Sequence, residues 1–188
     1  MIRAHKIRLH PNEEQKRYFV RAAGVSRFTW NWALAEWNRQ YQAGEKPTAL
    51  QLKKQFNQIR RQEYPWTWEV TKNASDQPFL DLANAWTAYF EGLKKGKKTG
   101  QPTFKSKKKS KLSFYLANDQ FELGDHRMWI VRRVGAESNT CHRQERSRVK
   151  TSRKRANPEG KPKGDCSMLI KREISEGMYN RVSQVLCA

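Results

Sequence analysis

The sequence predicts a predominantly helical α+β fold: a helical bundle inserted between short β-strands and followed by a poorly ordered basic tail. Three observations carry that expectation. Apolar residues recur at helical spacing through most of residues 13–93. Alternating segments flank that block, at the amino terminus and again over residues 112–131. Aromatic residues then stop: of 21 in the chain, 20 lie at or before Trp129 and only Tyr179 follows. A segment poor in large apolar groups buries little surface against its ordering entropy. The division therefore falls near residue 131, with 1–131 folded and 132–188 a basic tail, disordered or read out of frame.

At 188 residues the chain is long enough for one domain with a core. Its 38 Lys and Arg against 18 Asp and Glu give a formal charge of +20. That excess calls for a polyanionic partner, and nucleic acid is the commonest. No apolar run reaches the ~18 residues of a membrane span. The opening MIRAHKIRLHPNEEQ lacks the apolar stretch of a signal peptide, so a cytoplasmic protein without a membrane partner is expected. Cys141, Cys166 and Cys187 form neither a C-x-x-C pair nor a disulfide framework, and His142 has no further ligands at a recognisable spacing. No metal and no cofactor are expected.

The elements follow in order. Residues 2–9 place Ile7 and Leu9 on one side of a strand and Lys6 and Arg8 on the other, with Pro11 ending it. Asn12 is an N-cap with Gln15 three residues on, and Glu13 and Glu14 suit the positive helix start. This helix is expected to bury Tyr18, Phe19 and Ala22 and to break at Gly24. A second helix then runs to about Ala43, with Gly44 as its stop. It is apolar on two sides: Phe28, Trp32 and Ala35 share one face, and Trp30, Leu34 and Trp37 the other, as in a helix packed between two layers. On the polar edge between them, Arg27 is a candidate for nucleic acid and Asn31 for a local backbone bond.

Thr48 and Gln51 form a second capping box, after which Leu52, Phe56 and Ile59 point inward and Lys53, Lys54, Arg60 and Arg61 outward. Trp66 is expected to tuck under the bundle. From about Asp76 to Leu93 a regular helix repeats Phe79, Ala83, Trp86, Phe90 and Leu93 as a core stripe. Trp30, Trp32, Trp86 and Phe90 are assigned to the core. The chemistry then changes: Lys94 to Lys111 holds nine lysines in eighteen residues, with no acid between Glu91 and Asp119 and with Phe104 inside it. Basic residues around an aromatic suit a phosphate backbone with a stacked base. Three short strands follow, 112–116, 120–123 and 128–131, with turns at Asn118–Asp119 and Gly124–Asp125. The candidate nucleic-acid-binding residues are Arg27, Lys53, Lys54, Arg60, Lys94, Lys95, Lys97, Lys98, Phe104, Lys105, Lys107, Lys108 and Lys109.

The opening KIRLHPNEEQK, then GVSRFTWNWAL, YPWTWEVTKNASDQPFLDLANAWTAYF, GQPTFKSKK and SFYLANDQFEL resemble, in order and spacing, the amino-terminal part of the OrfB/TnpB-type transposases of insertion sequences. The resemblance spans about residues 1–131. It implies a wedge-type strand, an inserted helical recognition lobe and a return to wedge strands, in a protein that holds a guide RNA and cuts DNA. Older descriptions of such proteins place a helix-turn-helix at the start; three tryptophans on the supposed recognition helix argue against its standing free.

Members of that family continue into a RuvC-like nuclease domain with an acidic metal site and a zinc ribbon. Glu137, Glu145, Glu159 and Asp165 here lack strand periodicity around them, and two-metal chemistry needs carboxylates on a packed scaffold. No catalytic residue is therefore assigned. The expected function is a truncated, non-enzymatic nucleic-acid-binding fragment of such a transposase, with guide RNA or DNA as partner and no protein partner. The alternative is a DNA-binding regulator of helix-turn-helix type.

Overall fold

Ile2–His10 forms strand β1, and Pro11 follows it. The structure, a computed structural model, describes residues 2–117, 120–123, 127–134, 143–152, 166–173 and 181–187, with side-chain burial given for 9–117 and Gln120. Helix α1 spans Glu13–Gln42, α2 Ala49–Glu63 and α3 Lys72–Lys94, with a short 3-10 helix at Pro65–Glu69. Six further strands follow: β2 Leu112–Leu116, β3 Phe121–Leu123, β4 Arg127–Val134, β5 Arg143–Ser152, β6 Cys166–Glu173 and β7 Arg181–Cys187. The fold is a predominantly helical α+β fold, with the helices inserted between β1 and β2.

Both capping boxes form. The Gln15 amide N–H donates to Asn12 Oδ1 at 2.8 Å while the Asn12 N–H donates to Gln15 Oε1 at 2.9 Å. At α2 the Gln51 and Thr48 backbone N–H groups are exchanged in the same way, at 3.3 and 3.2 Å. Each box satisfies two orphan donors at a helix start. Gly44, at φ 84°, closes α1: its N–H donates to Tyr41 O and that of Glu45 to Gln40 O, at 3.1 and 3.0 Å. This pair of bonds requires a left-handed residue, which glycine adopts at no steric cost.

Gly24 does not break the helix; α1 is one helix of 30 residues. A glycine inside a helix costs only about 1 kcal/mol relative to alanine. Burial of its neighbours Ala22, Ala23 and Val25 outweighs that cost. Helix α3 starts at Lys72 rather than near Asp76, so Pro78 falls inside it and not in its first turn.

The chain gathers into two compact units: residues 1–24, 68–74 and 111–188 in the first, and 25–67 and 75–110 in the second. In the first, an antiparallel sheet runs β2-β7-β6-β1-β5-β4-β3. Leu9, Phe19, Phe114 and Leu116 are buried there, with the Phe19 and Phe114 rings 5.8 Å apart, and the Thr71 N–H donates to the Tyr18 hydroxyl at 3.1 Å. Residues 143–152, 166–173 and 181–187, expected to be part of a poorly ordered tail, instead form strands. Two of these flank β1: Ala4 pairs with Lys171, and Leu9 with Thr151. Counting aromatics missed them because Val149, Met168, Leu169, Ile170, Val182, Val185 and Leu186 supply aliphatic strand-formers instead. The ladder also sets Cys166 opposite Cys187. The expected turns at Asn118–Asp119 and Gly124–Asp125, Cys141, His142 and the acids Glu137, Glu159 and Asp165 lie outside the described residues.

In the second unit, Trp30, Ala33 and Leu34 of α1, Leu52 and Phe56 of α2, and Phe79, Leu82 and Trp86 of α3 make the core. The α3 stripe differs from the expected one. Phe90 and Leu93 are 41% and 50% exposed, and Leu82 takes a core place, because the buried face turns toward Ser75, Pro78, Phe79, Leu82 and Trp86. Trp32 is half-buried against Phe56 and Phe79. Ala35 is exposed, and Trp66 is 43% exposed with an edge on Phe28 instead of being tucked in.

Phe56→Ala should lower unfolding free energy by about 3–5 kcal/mol, the cost of a large buried aromatic. Phe90→Ala should cost about 1 kcal/mol, the worth of its stack on Trp86. Urea titration of both variants separates them, and equal losses would restore the original stripe. Gly24→Ala should raise stability by about 0.5–1 kcal/mol, since nothing lies within 4 Å of an added Cβ. A loss of stability on thermal unfolding would mean that the helix breaks there after all.

Candidate nucleic-acid interface

The lysine-rich segment starts where α3 ends. Gly96, at φ 67°, turns the chain: its N–H donates to Leu93 O and that of Lys97 to Gly92 O, at 3.0 and 2.9 Å. The returning chain passes close to the helix. The Thr99 hydroxyl donates to Tyr89 O at 3.2 Å, and a Cβ on Gly92 would stand 2.3 Å from Thr99 Cγ2. Glycine is the residue that admits this approach.

Beyond Gly100 the segment is strapped to α1 by two neighbouring side chains. The Trp30 indole N–H donates to Thr103 O at 3.0 Å. The Asn31 amide donates through Nδ2 to Lys105 O at 2.9 Å and accepts the Lys105 N–H on Oδ1 at 2.8 Å. One amide thus satisfies both polar groups of a single peptide residue, as a neighbouring strand would. Asn31 does bond backbone, but the partner is 74 residues away, not local. Trp30 is both a core residue, 7% exposed, and an anchor.

Lys105 follows its backbone inward. Its ammonium lies over the Trp30 ring, 3.8 Å from the centroid, a cation–π contact. Burial holds its pKa below the ordinary lysine value, and the charge of Asp81 partly opposes that shift. Lys105 is therefore committed to the strap and is not a free phosphate ligand.

The other candidates divide. Lys94, Lys95, Lys97 and Lys98 are exposed, with Lys95 Nζ 3.9 Å from Glu91. Lys107, Lys108 and Lys109 are exposed on a turn closed by Ser106, whose hydroxyl accepts the Lys109 N–H at 3.1 Å and whose carbonyl accepts that of Ser110 at 3.0 Å. Phe104 is 59% exposed. On α2, Lys54 is exposed, while Lys53 is half-buried and pairs with Asp76 at 2.9 Å. Arg60 is corrected outright: at 3% exposure it donates to Thr67 Oγ1 and Thr67 O, both at 2.7 Å. Burying a guanidinium requires such partners, and Thr67 supplies them. Arg27 is half-buried, and its Nη1 has no protein partner.

Residues 1–46 match the OrfB/IS605 family model described as a helix-turn-helix domain, a DNA-binding class of domain. Over those residues the chain is similar to the OrfB/IS605 family. No curated protein matches the chain. The OrfB/IS605 match takes in β1, α1 and Gly44; over Glu13–Gln42 it holds one helix without a turn. Trp30 and Asn31 lie inside the match and the lysine strap they hold lies beyond it. Among the described residues no helix is long and apolar enough to cross a membrane, and no three His, Cys, Asp or Glu side chains gather as a metal site.

What the sequence could not supply is the clamp. Nothing in local periodicity joins Asn31 to Lys105, or Tyr89 to Thr99; only the folded chain brings these pairs together.

Lys105 should titrate below the ordinary lysine value when followed by NMR on its Nζ, and Asp81→Asn should lower it further, because Asp81 now favours the charged form. A folded pKa below the unfolded one means that the unfolded state binds more protons between the two values. Stability from this group should therefore rise with pH through that window. A Lys105 that titrates at the ordinary lysine value would contradict its partial burial.

Proposed function

We propose that this chain is a nucleic-acid-binding part of a transposon-encoded protein of the TnpB, RNA-guided nuclease type, holding guide RNA or DNA through the lysine strap without cutting it alone. The observation that carries the reading is the strap itself. Its exposed lysines stand on backbone tied to a helix by Trp30 and Asn31 and by the Gly96 turn. Charges on an ordered segment meet a phosphate backbone with less entropy to lose than charges on a free loop. The gathered charge of +20 supports the same partner.

The helix-turn-helix description of the matched region favours the second reading, a duplex-DNA-binding regulator. The unbroken α1 weighs against it, since Glu13–Gln42 offers no turn after which a recognition helix could project.

Binding to RNA and to duplex DNA, measured across a salt series, tests both. Affinity should fall steeply with salt. Replacing Lys107, Lys108 and Lys109 with Gln should flatten the duplex slope by at most about 2.7, at about 0.9 per phosphate contact, and weaken all sequences alike. Added Mg²⁺ or Mn²⁺ should produce no cleavage of single- or double-stranded DNA. Metal-dependent cutting would overturn the non-enzymatic reading, and a strong preference for one duplex site would favour the regulator.

A further inference from the structure

Phe104 is among the most exposed large apolar residues of the described chain, yet the backbone on each side of it is held. The carbonyl of Thr103 accepts from the Trp30 indole, and both peptide groups of Lys105 are taken by Asn31. An exposed ring on a free loop gains contact at the cost of ordering its own backbone. Here that ordering has already been done by the fold.

The neighbouring charge is arranged to match. The Lys105 ammonium is drawn onto the Trp30 face, so that the exposed side chains of residues 103–105 are the Phe104 ring and Thr103, with Lys105 half-buried. Free positive charge resumes at Lys107, Lys108 and Lys109, and no carboxylate side chain occurs in the sequence between Glu91 and Asp119. A ring with accessible surface, followed in sequence by cations with no acid among them, fits a nucleotide: its base on the ring and its phosphates on the lysines. A base inside a duplex offers no free face without being unstacked, whereas an unpaired base does.

We propose that Phe104 is a base-stacking residue, and that it gives the strap a preference for unpaired, single-stranded nucleotides over duplex. This rests on the reading that the strap binds nucleic acid. The ring has no part in the core, so its removal leaves the packing of Trp30 and Phe56 untouched.

The test uses the full chain and fluorescence anisotropy with oligo-dT, oligo-U and a duplex, each of about twenty nucleotides, a length within the usual range of single-strand sites. Phe104→Ala should weaken single-strand binding about tenfold or more and leave the duplex within about twofold, with the salt slope unchanged. Phe104→Trp should restore the affinity. Loss on both single strands supports stacking shared by RNA and DNA, and loss on one supports stacking confined to that strand. If Phe104→Ala binds single strands like the wild type, or loses affinity equally for duplex, the stacking role is overturned while salt-dependent binding stands. If the wild type binds none of the three probes, the reading of the lysine strap falls, and the stacking role falls with it.

Discussion

The second unit is built around the ring of Phe56. It lies 5.0 Å from the ring of Trp32, 5.7 Å from Phe79, 6.0 Å from Tyr64 and 6.4 Å from Phe28, centroid to centroid, with the Arg60 guanidinium 6.0 Å from its own centroid. One side chain of α2 therefore meets α1, α3 and the residue that closes its own helix. Aromatic pairs at these separations add a directional term to the large area they bury. That contact also explains Arg60. Its guanidinium lies near the ring and is satisfied by Thr67, so a residue with the sequence signature of a surface cation becomes part of the interior.

In the same unit, the course of the lysine-rich segment follows from where α1 places two adjacent residues. Trp30 and Asn31 sit on α1 because the helix continues past Gly24, and their polar atoms reach Thr103 and Lys105. The strap is thereby ordered by hydrogen bonds to backbone, which leaves most of its side chains available. Charge and aromatic surface are thus divided by position: Lys105 turns inward to the indole, and Phe104 and Lys107, Lys108 and Lys109 remain outward. To meet a polyanion the half-buried Lys105 ammonium would first have to leave its ring, whereas the outward lysines would not.

The first unit depends on a longer reach. Strand β1 opens the chain, but its sheet neighbours come from residues 143–152 and 166–173. Its pairing is antiparallel with both, along Ile2–Arg8 with β6 and at Arg8–His10 with β5, ladders that no local segment could provide. The helices between β1 and β2 form an insertion in this order of strands.

Much of this was written in the sequence. The two capping boxes, the Gly44 stop, β2 and the inward positions Leu52, Phe56, Phe79 and Trp86 depend on residues within a few positions of one another, where periodicity and cap chemistry are readable directly. The basic charge and its run in Lys94 to Lys111 were equally plain. Tertiary structure alone decided the continuity of α1 through Gly24, the burial of Arg60, the contact of Lys105 with Trp30, the exposure of Phe90, and the strands of residues 143–152, 166–173 and 181–187. In each case a weak local preference met a partner distant in sequence: a glycine penalty against flanking burial, a cation against Thr67 or an indole, an aliphatic strand against another strand. Local spacing records the preference but not the partner, and the partner determines the free energy.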